Sequence, residues 1–231
     1  LVPIGESRLI DCALWQLKNA GVGEVIVNLH YLPEQISAYL GDGSQYQLQI
    51  SYSHEDPILD TGGAIKRVLT QYPTQDILIY NSDAVFGSDL DLAGFIARFQ
   101  SNSRNPLAQL MLRPMEKGSD FGVIKAKPCS DGDLQLLQVV KLLEEPVMGH
   151  DQEGASEYTF TGVHLLSKRA LPYMKTLPEI FRTFRDLYPL FAKAGELITA
   201  ESYMGFWRDT GTKGRLAEVC DAVMVGKVMT R

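Results

Sequence analysis

Asp76-Ile77-Leu78-Ile79-Tyr80-Asn81-Ser82-Asp83 reads as a short buried strand that ends on an aspartate. Its apolar residues run without alternation, as in a parallel strand covered by helices on both faces. Open α/β sheets bind ligands at the carboxyl ends of such strands, so the Asp83 carboxylate is expected at a functional rim. Working back from it, residues 62–72 have helical spacing and 47–53 alternate as a strand does. Glu24-Val25-Ile26-Val27-Asn28-Leu29 is a second β-branched apolar run, followed by a helix over 33–40. Before it, Leu9, Ile10, Ala13, Leu14 and Leu17 recur at helical spacing over 7–20, and Gly21 ends that helix. Strand and helix alternate, the signature of an α/β fold.

From Leu107 the pattern becomes richer in strands, at 107–112, 122–126, 134–142 and 158–166. Helices are expected again at 167–174 and 179–194, and 212–225 reads as a terminal helix with Leu216, Val219, Cys220 and Val223 along one side. The polar, Gly-containing stretches 127–132 and 150–156 are the expected mobile loops. No internal repeat or long linker interrupts the chain, so residues 1–231 are read as a single domain.

The composition, 45% hydrophobic and 22% charged, is that of a soluble globular protein, and no apolar run approaches the ~20 residues of a membrane-spanning helix. A net charge of −6 argues against a nucleic-acid partner, so any polyanionic small substrate must be held locally. Cys12, Cys129 and Cys220 are odd in number and far apart, which suggests neither a zinc cluster nor a disulfide framework and fits a reducing cytoplasm. The first residues do not read as a secretory signal.

Two aspartates carry the expected chemistry. Mg²⁺ is commonly held by one or two carboxylates together with substrate phosphates, and Asp209 is the natural second ligand beside Asp83. Trp207 offers a rigid apolar anchor next to it, and Gly211-Thr212 opens the last helix. Either aspartate also suits a plain turn or helix cap. In Thr61-Gly62-Gly63-Ala64 the adjacent glycines let backbone N–H groups approach a flat ligand such as a base or a sugar, or else serve a turn. They are not a P-loop, and no Gly-x-Ser-x-Gly elbow is present. His30, His54, His150 and His164 form no matched set. Lys66 and Arg67 are expected on a solvated helix face, and Phe181, Phe184, Tyr188 and Phe191 in the core.

The order and spacing of these pieces resemble the sugar-1-phosphate nucleotidyltransferases, or NDP-sugar pyrophosphorylases, over nearly the whole chain. The most specific match is Trp207-Arg208-Asp209-Thr210-Gly211-Thr212. Leu1-Val2-Pro3-Ile4-Gly5 is similar to the family's segment after its Lys-Pro. Asn28-Leu29-His30-Tyr31-Leu32-Pro33 resembles the bacterial branch handling N-acetylmuramate, mannose or glucose 1-phosphates. The resemblance implies a three-layer, Rossmann-like fold with a mixed sheet, residues 1–105 forming a nucleotide-binding half and 106–231 a sugar-binding half with the C-terminal helix. It implies Mg²⁺ on Asp83 and Asp209, a nucleobase bordered by Gly62 and Gly63, and a sugar lined by Gly122, Glu144, Thr161 and Trp207. The substrates would be UTP or GTP and a sugar 1-phosphate, and the products an NDP-sugar and pyrophosphate.

The chain also departs from the pattern. The family's N-terminal strand and Gly-rich loop, with an Arg and a Lys that neutralise the triphosphate, are missing from the chain. Ser82 stands where a Gly is usual, and Glu145 stands for a Lys that contacts the sugar phosphate, which reverses the sign of that interaction. These departures define an alternative, a non-catalytic nucleotide-sugar-binding or regulatory protein of the same fold. A metal-dependent glycosyltransferase is a further alternative, but Ser82-Asp83-Ala84-Val85 lacks its Asp-x-Asp.

Overall fold

The apolar run Glu24–Leu29 is a strand, paired in parallel with Gln49–His54 from Glu24 opposite Gln49 to Leu29 opposite His54. The connecting helix Pro33–Leu40 starts on a proline, whose missing N–H is harmless in the first turn, and stops at Gly41, where φ is +59°. In this computed structural model, residues 1–129, 136–228 and 230 are described. They form two compact units that interleave along the chain, one from Leu1–Ile58, Tyr80–Phe95 and Gly205–Arg231, the other from Leu59–Ile79 and Ile96–Met204.

In the first unit the parallel pair packs with Leu14, Leu40, Tyr46, Leu48 and Ile50. Most residues of Glu24–Leu29 are half-buried, not covered on both faces as the unbroken apolar run suggested. The first helix spans Leu9–Asn19, two residues later than expected, because Ser7–Arg8 pairs with Pro3–Ile4 instead. Asp11 is buried yet fully served: the Arg8 N–H donates to Oδ2 at 2.6 Å, the Tyr39 hydroxyl to Oδ2 at 2.8 Å and the Tyr46 hydroxyl to Oδ1 at 2.6 Å. Beside it, burial and then the Asp11 charge push the Cys12 thiol up to about 12, so it is an inert core residue. A second cluster, Ile4, Cys12, Val85, Val219 and Ala222, joins the terminal helix Lys213–Met224 to the ribbon made by Ala84–Phe86 and Trp207–Asp209.

The second unit is built on a mixed sheet in the order Glu145–Pro146, Leu136–Leu142, Ile198–Ser202, Ala108–Pro114, Ser156–Leu166, Ile77–Tyr80, with Val123–Pro128 pairing Ser156–Leu166 and Leu136–Leu142. Ile198–Ser202 runs parallel to Ala108–Pro114, whereas Ser156–Leu166 runs antiparallel to it. Ile77–Tyr80 is half-buried along its length, a correction to the buried strand read from its apolar run. Residues 134–135 of one expected strand and 130–132 of one expected loop lie outside the described residues.

The expected helix over 179–194 is instead a single π turn, Thr183–Leu187, followed by the helix Tyr188–Lys193. Arg182 stays extended (φ −98°, ψ 137°), with its N–H donated to Asp186 Oδ2 at 2.6 Å. Pro189, lacking an N–H, sits in the first turn of the second piece, where proline starts a helix and does not continue one. The aromatic residues are nonetheless core, with Phe184 and Tyr188 stacked at 4.6 Å. His164 has a partner that sequence spacing did not reveal: its Nδ1 is 2.7 Å from the Tyr188 hydroxyl, where burial pushes the imidazole down to about 3.

One polar contact anchors this sheet. Arg98 grips Glu201 with two donors, Nε to Oε1 at 2.9 Å and Nη2 to Oε2 at 2.7 Å, and the Gln109 amide adds a third at 3.0 Å. The Glu201 side chain is only 12% exposed and that of Arg98 28%. Glu201→Ala is expected to destabilise by about 2–3 kcal/mol, somewhat below a fully buried pair, because three partly desolvated donor groups lose this acceptor. Urea unfolding checks this, and a midpoint within error of the wild type would show the pair to be energetically silent.

The three cysteines are free thiols. Among the described residues no helix is long and apolar enough to cross a membrane.

Candidate active site

Asp83 lies in the turn between the strands Ile77–Tyr80 and Ala84–Phe86. Ala84–Phe86 pairs antiparallel with Trp207–Asp209, with Phe86 opposite Trp207, Val85 opposite Arg208 and Ala84 opposite Asp209. The pairing continues past the strand ends: the Thr210 N–H and its hydroxyl both donate to the Asp83 carbonyl at 3.0 Å. Two aspartates 126 positions apart in sequence (209 − 83) are thereby neighbours. The ribbon cannot slip readily, because Trp207 is buried opposite Phe86 and a one-residue shift would turn it to the other face of the strand.

The two carboxylates act on one another electrostatically. Burial, then the Asp209 charge, raises the Asp83 pKa, although its side chain reaches solvent. Its own backbone N–H acts in the opposite sense. Asp209 is better served: its Oδ1 accepts the Gly211 N–H at 2.8 Å and Arg215 Nη1 at 3.3 Å. Arg215 sits in the first turn of Lys213–Met224, whose cap is the Thr212 hydroxyl accepting the Arg215 N–H at 3.3 Å. Sequence reading did not select Arg215. Its signal was a cation in the first turn of a helix, where the macrodipole disfavours it, six residues after the key aspartate.

Trp207 is 5% exposed and anchors the ribbon. The remaining expected residues belong to the second unit. Gly62 and Gly63 lie in the first turn of the helix Asp60–Gln71 and are buried. Their N–H groups do not face a ligand: both donate to the Phe181 carbonyl, at 2.9 and 3.3 Å. A Cβ on Gly63 would stand 2.3 Å from the Glu179 carbonyl oxygen, and one on Gly62 2.3 Å from the Phe181 ring. These glycines are bare because another segment of chain packs on them. Lys66 is likewise engaged, donating to the Leu177 carbonyl at 2.9 Å and the Pro178 carbonyl at 3.3 Å, where a solvated face was expected.

Thr161 is 1% exposed and its hydroxyl donates to the Met111 carbonyl at 2.7 Å, which makes it a sheet fastener. Gly122 is exposed, and a Cβ there would meet Leu143 Cδ2 at 2.5 Å; Leu143 adjoins Glu144, whose side chain is 97% exposed with Lys141 at 3.4 Å. The Glu145 carboxylate lies 3.9 Å from Lys193 Nζ, a cation that offsets its charge.

The profile of the family described as Nucleotidyl transferase matches residues 1–224, and the chain belongs to that family. It is 29% identical over 229 residues to N-acetylmuramate alpha-1-phosphate uridylyltransferase of Neisseria meningitidis, covering 94% of this chain and 86% of that protein. It is 26% identical to mannose-1-phosphate guanylyltransferase of Mycobacterium tuberculosis, covering 92% of this chain but only 55% of that longer protein. The crystal structure of a UDP-glucose pyrophosphorylase complexed with UDP-glucose has the same fold, with a TM-score of 0.76 at 16% identity over 97% of this chain and 89% of that one.

Proposed function

We propose that the protein transfers a nucleoside monophosphate from UTP or GTP to a sugar 1-phosphate, releasing pyrophosphate, with Mg²⁺ held by Asp83 and Asp209. The observation that carries this reading is the juxtaposition of the two carboxylates by the ribbon Ala84–Phe86 and Trp207–Asp209. Two hard oxygen donors of like charge held side by side fit a small divalent cation that completes its shell with phosphate oxygens. When bound, Mg²⁺ supplies charge neutralisation and polarisation at the transferring phosphoryl group.

In-line displacement needs no protein nucleophile. An oxygen of the sugar 1-phosphate bonds to the α-phosphorus as the bond to pyrophosphate breaks, so positioning carries the catalysis. Buried Val85, Phe86 and Trp207 fix the aspartates, and the Gly211 N–H with Arg215 sets the rotation of the Asp209 carboxylate. Glu144, exposed and anionic, is suited to accept hydrogen bonds from sugar hydroxyls, and the exposed Gly122 packs against its neighbour Leu143. Uridine with an N-acetylated or simple hexose 1-phosphate is favoured by the name of the Neisseria relative. The free thiols suit work in a reducing cytoplasm.

Release of pyrophosphate by the native protein tests the reading, with UTP or GTP against N-acetylmuramate, mannose or glucose 1-phosphate in the presence of Mg²⁺. Release that requires both substrates and stops on chelation is expected. Tight nucleotide-sugar binding with no pyrophosphate from any pair would overturn it.

A further inference from the structure

We propose that Arg215 is the resident counter-cation of the Asp83–Asp209 pair, neutralising Asp209 until a divalent cation competes it away. The inference rests on the reading of the pair as a metal site. Arg215 Nη1 is 3.3 Å from Asp209 Oδ1, the same oxygen that accepts the Gly211 N–H, and among the described residues Oδ2 accepts no hydrogen bond. The guanidinium reaches that oxygen because helical side chains lean toward the helix N-terminus, and the Thr212 cap fixes the Arg215 backbone. Arg208, next to Asp209 in the strand, is otherwise engaged: it pairs with Glu218, and strand alternation turns it to the face opposite Asp209.

Arg215 sits against the local field of its own helix, so its place is explained by the anion it meets. Its side chain is 24% exposed and that of Asp209 28%, so the contact is wet enough to open without burying a bare charge. With Arg215 in place the pair carries one net negative charge, not two. Affinity for a free cation is thereby held down, and tight loading awaits the phosphate oxygens of the nucleotide. Arg215 thus couples metal binding to substrate binding.

The test is Mn²⁺ titration of the native protein without nucleotide, read from the free-Mn²⁺ electron paramagnetic resonance signal. Arg215→Gln and Arg215→Ala are expected to bind Mn²⁺ about 3- to 10-fold more tightly than wild type, the range for a partly exposed ion pair. Arg215→Lys should stay near wild type, as should Lys213→Gln, which removes the same charge from the same helical turn. A merely structural Arg215 would weaken Mn²⁺ binding or leave it unchanged on substitution, and either result overturns the inference. Equal tightening in Lys213→Gln overturns it too, by reducing the effect to net charge. Asp83→Asn separates the two levels of the argument. If it leaves wild-type Mn²⁺ binding intact, the metal site itself fails; if it abolishes binding while Arg215→Gln does not tighten it, only the role of Arg215 fails.

Discussion

Asp83→Asn is expected to slow pyrophosphate release by about 10³-fold or more while leaving the ligand-free protein at least as stable as wild type. The two effects share one cause. Burial and then the Asp209 charge raise the Asp83 pKa, so ionising this group costs more in the folded chain than in the unfolded one. The sign follows from linkage. Below the unfolded carboxylate range Asp83 is protonated in both states and carries no penalty; stability is lost as pH rises through the raised folded pKa, and at neutral pH the penalty is complete. Asparagine removes it, so the variant's melting temperature should match or exceed wild type at pH 7, with the difference shrinking as pH falls toward the ordinary carboxylate range. The same uncompensated charge is what a divalent cation would relieve, so the variant gives up cation affinity in return. Turnover, melting temperature and circular dichroism decide the matter together. Wild-type turnover in Asp83→Asn would remove the metal assignment, and activity lost together with melting temperature would point to a damaged fold.

How much of this was legible in the sequence differs from element to element. Glu24–Leu29 and Pro33–Leu40 were readable to the residue, because a β-branched run, a first-turn proline and a terminal glycine are local signals. The helix Leu92–Ser101 escaped notice although Leu92, Phe95 and Phe99, all buried, sit at helical spacing. Ala84–Phe86 and Trp207–Asp209 are different in kind. Strands of three residues have no measurable period, and their pairing is a long-range fact that no window of sequence contains. Asp83 and Asp209 were therefore legible as a pair through motif resemblance, while the strand pairing that makes them neighbours was not. Gly62, Gly63 and Thr161 differ in another way. Their types suited ligand contact, but burial and the carbonyls of Phe181 and Met111 claim their donors. A donor's type is written in the sequence; its acceptor is set by tertiary packing.

Gly63→Ala decides between those two accounts of the glycines, because they predict opposite signs for stability. In an exposed helix, replacing glycine by alanine stabilises by about 1 kcal/mol. A Gly63 that merely faced a nucleobase would therefore give a more stable protein with weaker nucleotide binding. In the structure, the added Cβ would stand 2.3 Å from the Glu179 carbonyl oxygen and 2.9 Å from Leu59 Cβ. The first of those neighbours is backbone, and the segment carrying it is tied to the helix: the Phe181 carbonyl accepts from Gly62 and Gly63, and the Phe181 N–H donates to the Leu59 carbonyl at 3.3 Å. Relief requires the segment to move off the helix and to strand the first-turn amides it caps. Overpacking of this kind costs about 1–3 kcal/mol, and loss of the capping contacts adds about 1 more, so the helical gain is outweighed and a net loss of about 1–3 kcal/mol is expected. For a chain of this size that is a fall of about 2–12 °C in melting temperature. Gly62→Ala should fall less, since its closest contacts at 2.3 Å are the edge of the Phe181 ring, which can rotate, with the Phe181 carbonyl farther off at 2.8 Å. A Gly63→Ala protein that melts above wild type would return the glycines to the ligand.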